Sequence, residues 1–470
     1  MKRKIFIAFI TFCLMLTLFS GTTSEIYAQD KNRSNQTKPS DKAKKLVEQG
    51  NKLFDQKDYR SAINKYVEAI VISPIYPAAH YRKGKAHYYL NEYDATVEEL
   101  DAAFNQKHPP LEIYELRWHV NYQKGNYDAA LSDVQAGLLL EPQNKNFAKG
   151  LAEINFKKGF YQEAIPALEK VIQTEPNNGD LFYFLAASYS KTGNDKQQAF
   201  YADEAIKKNT IYIADAYALL GDSLLKSGKK AEAIEAYKKA VSAKPEMTEK
   251  FYIDFSELYR SENRLNEAAD TAYKALKIHP KSRDLLIKLT WYYSLSDRFV
   301  EAVGAGQHAV RNAPDQFEAH TNLCRAYNDL KQYPQAIVEC NKALKLNPTD
   351  GETYFYLGRA QASTNKAALA AESYKRAVAG LIEYTREFPL DADGHYLLGN
   401  AYISDKQIKK AIDSYKRSLE LNPNFVKARL NLGSVYFSDD NMTAAREQYE
   451  ALLKIDKVYA EKLKAIIEKN

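Results

Sequence analysis

From residue 43 onward, apolar residues recur at helical spacing in short stripes broken by polar turns. The stretch Ala214 to Met247 shows the unit most clearly. Tyr217, Leu220, Gly221 and Leu224 fall on one face of a helix. Ala233, Tyr237 and Ala240 fall on one face of a second, and Pro245 closes it because proline cannot continue a helix. The pattern therefore predicts paired helices. It also repeats. Pro142 and Pro176 are 34 residues apart, as are Pro280 and Pro314, and Pro314 and Pro348. Alanines keep the same step at Ala130 and Ala164, and again through Ala268, Ala302, Ala336 and Ala370.

A repeated helix pair of 34 residues with these small and large slots resembles the tetratricopeptide repeat. The resemblance implies an all-α fold, a right-handed alpha-alpha superhelix of helix–turn–helix units. Counting in one register gives twelve units over residues 43–458, starting near 43, 77, 111, 145, 179, 214, 249, 283, 317, 351, 392 and 426. Small residues at unit positions 8, 20 and 27 let paired helices approach, and large ones at 4, 7, 11 and 24 fill the space between units. No unit buries its apolar stripe alone, so stacking is obligatory. Position 20 is alanine in ten units, with Thr96 and Gln198 the exceptions. Trp118 at position 8 of the third unit reads as compensated by Gly137 at position 27. The tenth unit carries seven extra residues around Gly380 to Glu387, about two helical turns. Its second helix is expected to protrude as a ridge. Residues 459–470 read as a capping helix.

The resemblance further implies that first helices line a concave groove through unit positions 5, 9 and 12. That stripe carries Trp291, Arg325, Arg359 and Asn400 at position 9, with Asn328, Phe355 and Tyr396 beside them. Aromatic, arginine and asparagine side chains are typical of binding hot spots. Arginine favours carboxylates and other planar anions. Asp222 and Glu257, earlier on the stripe, reverse its sign. Some relatives hold a chaperone C-terminus in a carboxylate clamp. Asn322 and Arg359 fit two of its places, but Ile287, Trp291 and Phe355 do not match, so that clamp is not expected. Cys324 and Cys340 occupy positions 8 and 24 of the ninth unit, which face each other. Two readings stand: a disulfide in an oxidising compartment, or two small packed thiols.

The N-terminus changes the picture of where such a protein works. Lys2, Arg3 and Lys4 precede the apolar run Ile5 to Phe19, and small polar residues follow up to Ala28. Residues 1–28 read as a secretory signal peptide and 29–42 as a flexible polar leader. The expected location is the bacterial periplasm or cell surface, with membrane association only through this segment if it is uncleaved. The formal net charge is only +6 among 27% charged residues, with both signs interspersed, which argues against a nucleic-acid binder. His80, His320 and His395 sit at packing position 4. No phosphate loop, nucleophile elbow or zinc signature appears, so no catalysis, metal or cofactor is expected. The reading is a scaffold for proteins or peptides. The alternatives are a subunit of an envelope machine that exports or assembles polysaccharide, for which the 35 tyrosines could stack on sugars, and a regulatory arm for an enzyme on another chain.

Overall fold

A computed structural model describes residues 38–468, so the signal-peptide segment and most of the leader lie outside the described residues. The described residues form 25 α-helices and no strand. They fall into two compact units that divide after Ile211. The first holds ten helices, from α1 (Asp41–Asp55) to α10 (Asp195–Lys207). The second holds fifteen: α11 (Ile213–Lys226), α12 (Lys230–Ala243), α13 (Glu249–Ser261), α14 (Leu265–Ile278), α15 (Arg283–Leu295), α16 (Phe299–Asn312), α17 (Phe317–Asp329), α18 (Tyr333–Leu346), α19 (Gly351–Ser363), α20 (Ala367–Glu387), α21 (Ala392–Ser404), α22 (Ile408–Leu421), α23 (Val426–Ser438), α24 (Met442–Ile455) and α25 (Lys457–Ile467). In each unit, odd-numbered helices pack against the even-numbered helix that follows and stack on the next pair.

The small slots do what the pattern requires. Ala130, Ala233, Ala302 and Ala411 are completely buried, and so are the two exceptions, Thr96 and Gln198. Thr96 satisfies its hydroxyl by donating to the carbonyl of Glu92. A glycine at position 8 commonly sits under a tyrosine at position 24. A Cβ on Gly221 would lie 2.5 Å from the ring of Tyr237, and one on Gly399 would lie 2.5 Å from that of Tyr415. The turn inside each pair also carries a signal that the hydrophobic pattern does not. Asn91, Gly125, Gly159 and Gly193, at steps of 34, all have left-handed backbone with φ between 59° and 80°. Glycine and asparagine tolerate that region.

Two expectations change. Gly137 does not compensate Trp118. It makes room for Phe147, whose ring would lie 2.4 Å from a Cβ there, while Trp118 packs over Gly150. The tenth unit's extra residues extend one continuous 21-residue helix, α20, but they do not simply protrude. Gly380 crosses Gly351 so closely that a Cβ on either would meet backbone atoms of the other segment at 2.5 Å. That contact pins the extension along the start of α19, and its inner face becomes a wall of the cavity described next.

Candidate functional site

Within the second unit, α13, α15, α17, α19, α21 and α23 surround a cavity of about 1570 Å³, and the last turns of α20 complete its wall. Trp291, Arg325, Phe355, Arg359, Tyr396 and Asn400 all line it. Asn328 does not: it is 1% exposed, and its Nδ2 donates to the carbonyls of Cys324 and Tyr356, both at 3.1 Å. The position-12 asparagine thus ties α17 to α19 and is a packing residue rather than a contact for a partner.

The cavity's electrostatics differ from the sequence stripe. Arg260 of α13 donates to Asp393 of α21 at 2.5 Å, although 133 residues separate them in sequence. It also donates to Glu257 at 2.6 Å, and its guanidinium lies over Trp291, 4.8 Å from the ring centre. Lys288 and Tyr292 of α15 donate to the same Glu257 oxygen, each at 2.6 Å. Burial pushes the Glu257 carboxyl up, but the charges of Arg260 and Lys288 and the donated hydrogen bonds outweigh it and hold the carboxyl at about 2. Nothing in the local sequence pattern pairs Arg260 with Asp393, because their meeting depends on how far the stacked repeats curve.

The other arginines are also engaged. Arg359 pairs with Asp329 at 3.1 Å. Arg325 pairs with Glu352 and lies over Tyr356, 5.0 Å from the ring centre. Its Nε and Nη1, however, are buried without a hydrogen-bond partner. Burial pushes the carboxyls of Asp329, Asp350 and Asp393 up, and pushes the Lys427 ammonium down. Asn400 accepts hydrogen bonds from Tyr415 at 2.7 Å and from Asn431 at 2.8 Å, which fixes the floor around Tyr396.

Cys324 and Cys340 form a disulfide, with Cα atoms 5.3 Å apart and both side chains fully buried. They occupy the slots taken elsewhere by glycine and tyrosine. The position-4 histidines are packing residues with polar anchors: His80 bonds Glu99 and His320 bonds Glu339, each at 2.7 Å. Among the described residues, no group of histidine, cysteine or carboxylate side chains is arranged to hold a metal ion. No helix among them is long and apolar enough to cross a membrane.

The geometry defines an α-helical repeat array with a concave cavity in its second unit. Several of these repeats match tetratricopeptide-repeat patterns. Patterns described as "Tetratricopeptide repeat" match residues 119–180, 214–247, 317–350 and 426–459. Another, described as "TPR repeat", matches residues 50–91 and 399–440. The chain is similar to small glutamine-rich tetratricopeptide repeat-containing protein 2 of Mycosarcoma maydis, 30% identical over 24% of this chain and 32% of that one. The Saccharomyces cerevisiae protein of the same name is 34% identical over 22% of this chain and 30% of its own length. The chain therefore spans about a third of these relatives. Among solved structures, yeast Tom70 aligns over 90% of this chain and 94% of its own, with 17% identity and a TM-score of 0.39.

Proposed function

We propose that this protein is a non-enzymatic scaffold, exported to the periplasm or cell surface, that holds a segment of a partner protein in the cavity of its second unit. The cavity's size carries the reading. At about 1570 Å³ it exceeds the roughly 300–1,000 Å³ usual for small-molecule sites. A helix about 10–12 Å across that rises 1.5 Å per residue fills roughly 120–170 Å³ per residue, so about ten residues would fit. Trp291 and Tyr396 in its wall are aromatic anchors of the kind that dominate protein interfaces. Its cationic groups are all coupled to carboxylates, as Arg260 is to Asp393, which stiffens the wall rather than readying a nucleophile. The Lys2 to Ala28 pattern supports export, and the disulfide suits an oxidising compartment.

The test is site-specific photo-crosslinking in the native cells, followed by purification and envelope fractionation. A photoreactive residue in place of Tyr354, which lines the cavity, is expected to capture a small set of exported proteins. A second probe replaces Val338, 53% exposed and outside the cavity lining. Capture of the same partners only from that position would move binding out of the cavity. Recovery of glycan instead of protein would favour the polysaccharide reading. A full-length chain confined to the cytoplasm would refute export.

A further inference from the structure

The arginines on the concave stripe suggest an anionic partner, and the structure reverses that. Ten carboxylates and six cationic side chains line the cavity of a chain whose overall charge is +6. Every one of the six cations has a carboxylate within 4 Å. Arg376 meets Glu372 at 3.0 Å and Lys427 meets Asp297 at 3.7 Å, while the other four pair within the wall. The carboxylates are not matched in return. Asp284, Glu318 and Glu387 line the cavity, are exposed, and make no ion pair among the described residues.

The α20 extension adds to this excess, although Glu383 pairs with Arg386 at 2.6 Å outside the lining. Glu383, Tyr384 and Glu387 line the cavity there. Tyr384 is 42% exposed, and just beyond it Phe388 and Leu390 are 47% and 76% exposed. The lip is therefore both acidic and apolar. A second feature points to an occupant of peptide character. Arg325 is only 6% exposed and lines the cavity, yet its Nε and Nη1 have no acceptor. Buried donors left unpaired are costly, and the carbonyl oxygens of a bound backbone are neutral acceptors that would satisfy them.

We propose that the cavity recognises a lysine- or arginine-containing segment with apolar flanking residues. The cationic side chains meet Glu318, Glu387 and their neighbours, the apolar ones meet Tyr384 and Phe388, and backbone carbonyls meet Arg325. This rests on the reading that the cavity holds a partner segment, and it fixes the partner's charge.

The test uses the full mature chain and isothermal titration of three synthetic peptides of about twelve residues. They share a Leu-, Ala- and Ser-containing framework and differ only in carrying Lys, Gln or Glu at the same four positions. The Lys peptide is expected to bind at least about tenfold tighter than the Gln peptide, and the Glu peptide weakest of all, with the preference shrinking at high salt. Glu318→Lys together with Glu387→Lys should erase the preference by weakening the Lys peptide about tenfold and leaving the Gln peptide unchanged. Both residues are exposed, so the variant is expected to keep the helical circular dichroism of the wild type. Tightest binding of the Glu peptide, a preference that survives the reversal, or equal displacement of the Lys peptide by spermine each overturns the proposal while leaving the cavity reading intact. Binding of none of the three, together with no crosslinks from position 354, refutes the cavity reading itself.

Discussion

Replacing Glu257 by glutamine removes the charge at the centre of the α13–α15 wall and keeps its shape. The carboxyl sits at about 2 against an ordinary 4.5. Burial alone would raise it, so the charges of Arg260 and Lys288 and their hydrogen bonds more than offset the cost of desolvation. The displacement, at 1.36 kcal/mol per unit, favours the folded state by about 3 kcal/mol when Glu257 is ionised. Its side chain is 27% exposed, so solvent screening takes only a modest part of this. Glutamine still accepts from Tyr292 and Lys288, and Arg260 keeps Asp393, so the expected loss at pH 7 is about 2–3 kcal/mol. A depressed carboxyl contributes stability that is complete above the unfolded value and is lost as pH falls through the folded one. The gap between wild type and Glu257→Gln is thus full above about pH 5, less than half as large near pH 3, and small below about pH 2. Repeat arrays unfold piecewise, so a global midpoint would blur the effect. Hydrogen exchange of peptides from α13 and α15 reads it directly, as an increase in opening of about 30- to 150-fold at pH 7. A difference under about 1 kcal/mol, or one equal at pH 7 and pH 3, would refute the ion-pair account.

Gly399→Ala should destabilise the α21–α22 pair by about 1–3 kcal/mol, read by hydrogen exchange of peptides from those helices, because the new Cβ would lie 2.5 Å from the ring of Tyr415. Asn328→Ala should cost about 1–2 kcal/mol by losing its hydrogen bonds to the carbonyls of Cys324 and Tyr356, while partner capture stays unchanged. Loss of capture at preserved stability would return Asn328 to the binding surface. The Cys324–Cys340 link closes a loop with a separation of 16 residues, so replacing both by alanine should cost about 3 kcal/mol, measured by denaturant unfolding against the oxidised protein. Two free thiols by mass spectrometry of the unreduced mature protein would remove the bond and the prediction with it.

Helical spacing puts unit positions 5, 9 and 12 on one face, and the resemblance to the tetratricopeptide repeat implied that this face lines the groove. Six of seven named residues, from Trp291 to Asn400, line the cavity. Asn328 failed because position 12 lies at the edge of that face, close enough to the next helix for its amide to reach Tyr356. The charge of the site was illegible. Arg325 and Arg359 stand on the stripe as contacts suited to carboxylates, while the partners they meet, Glu352 and Asp329, come from neighbouring helices. The left-handed turn position is less regular than the packing slots: it is glycine or asparagine at Asn91, Gly125 and Asn263, but lysine or aspartate at Lys57, Asp297, Lys331, Lys406 and Asp440.

The sequence by itself determined the helix pair, its period and its buried slots. Those depend on spacing within about 34 residues, where helical geometry alone decides which side chains share a face. Only the tertiary structure decided that Arg260 meets Asp393, that the α20 extension walls a cavity, and that the cavity is left acidic. Each of these depends on the small rotation from one unit to the next, accumulated over several units. That rotation is set by many packing contacts at once, and no local pattern of residues records it.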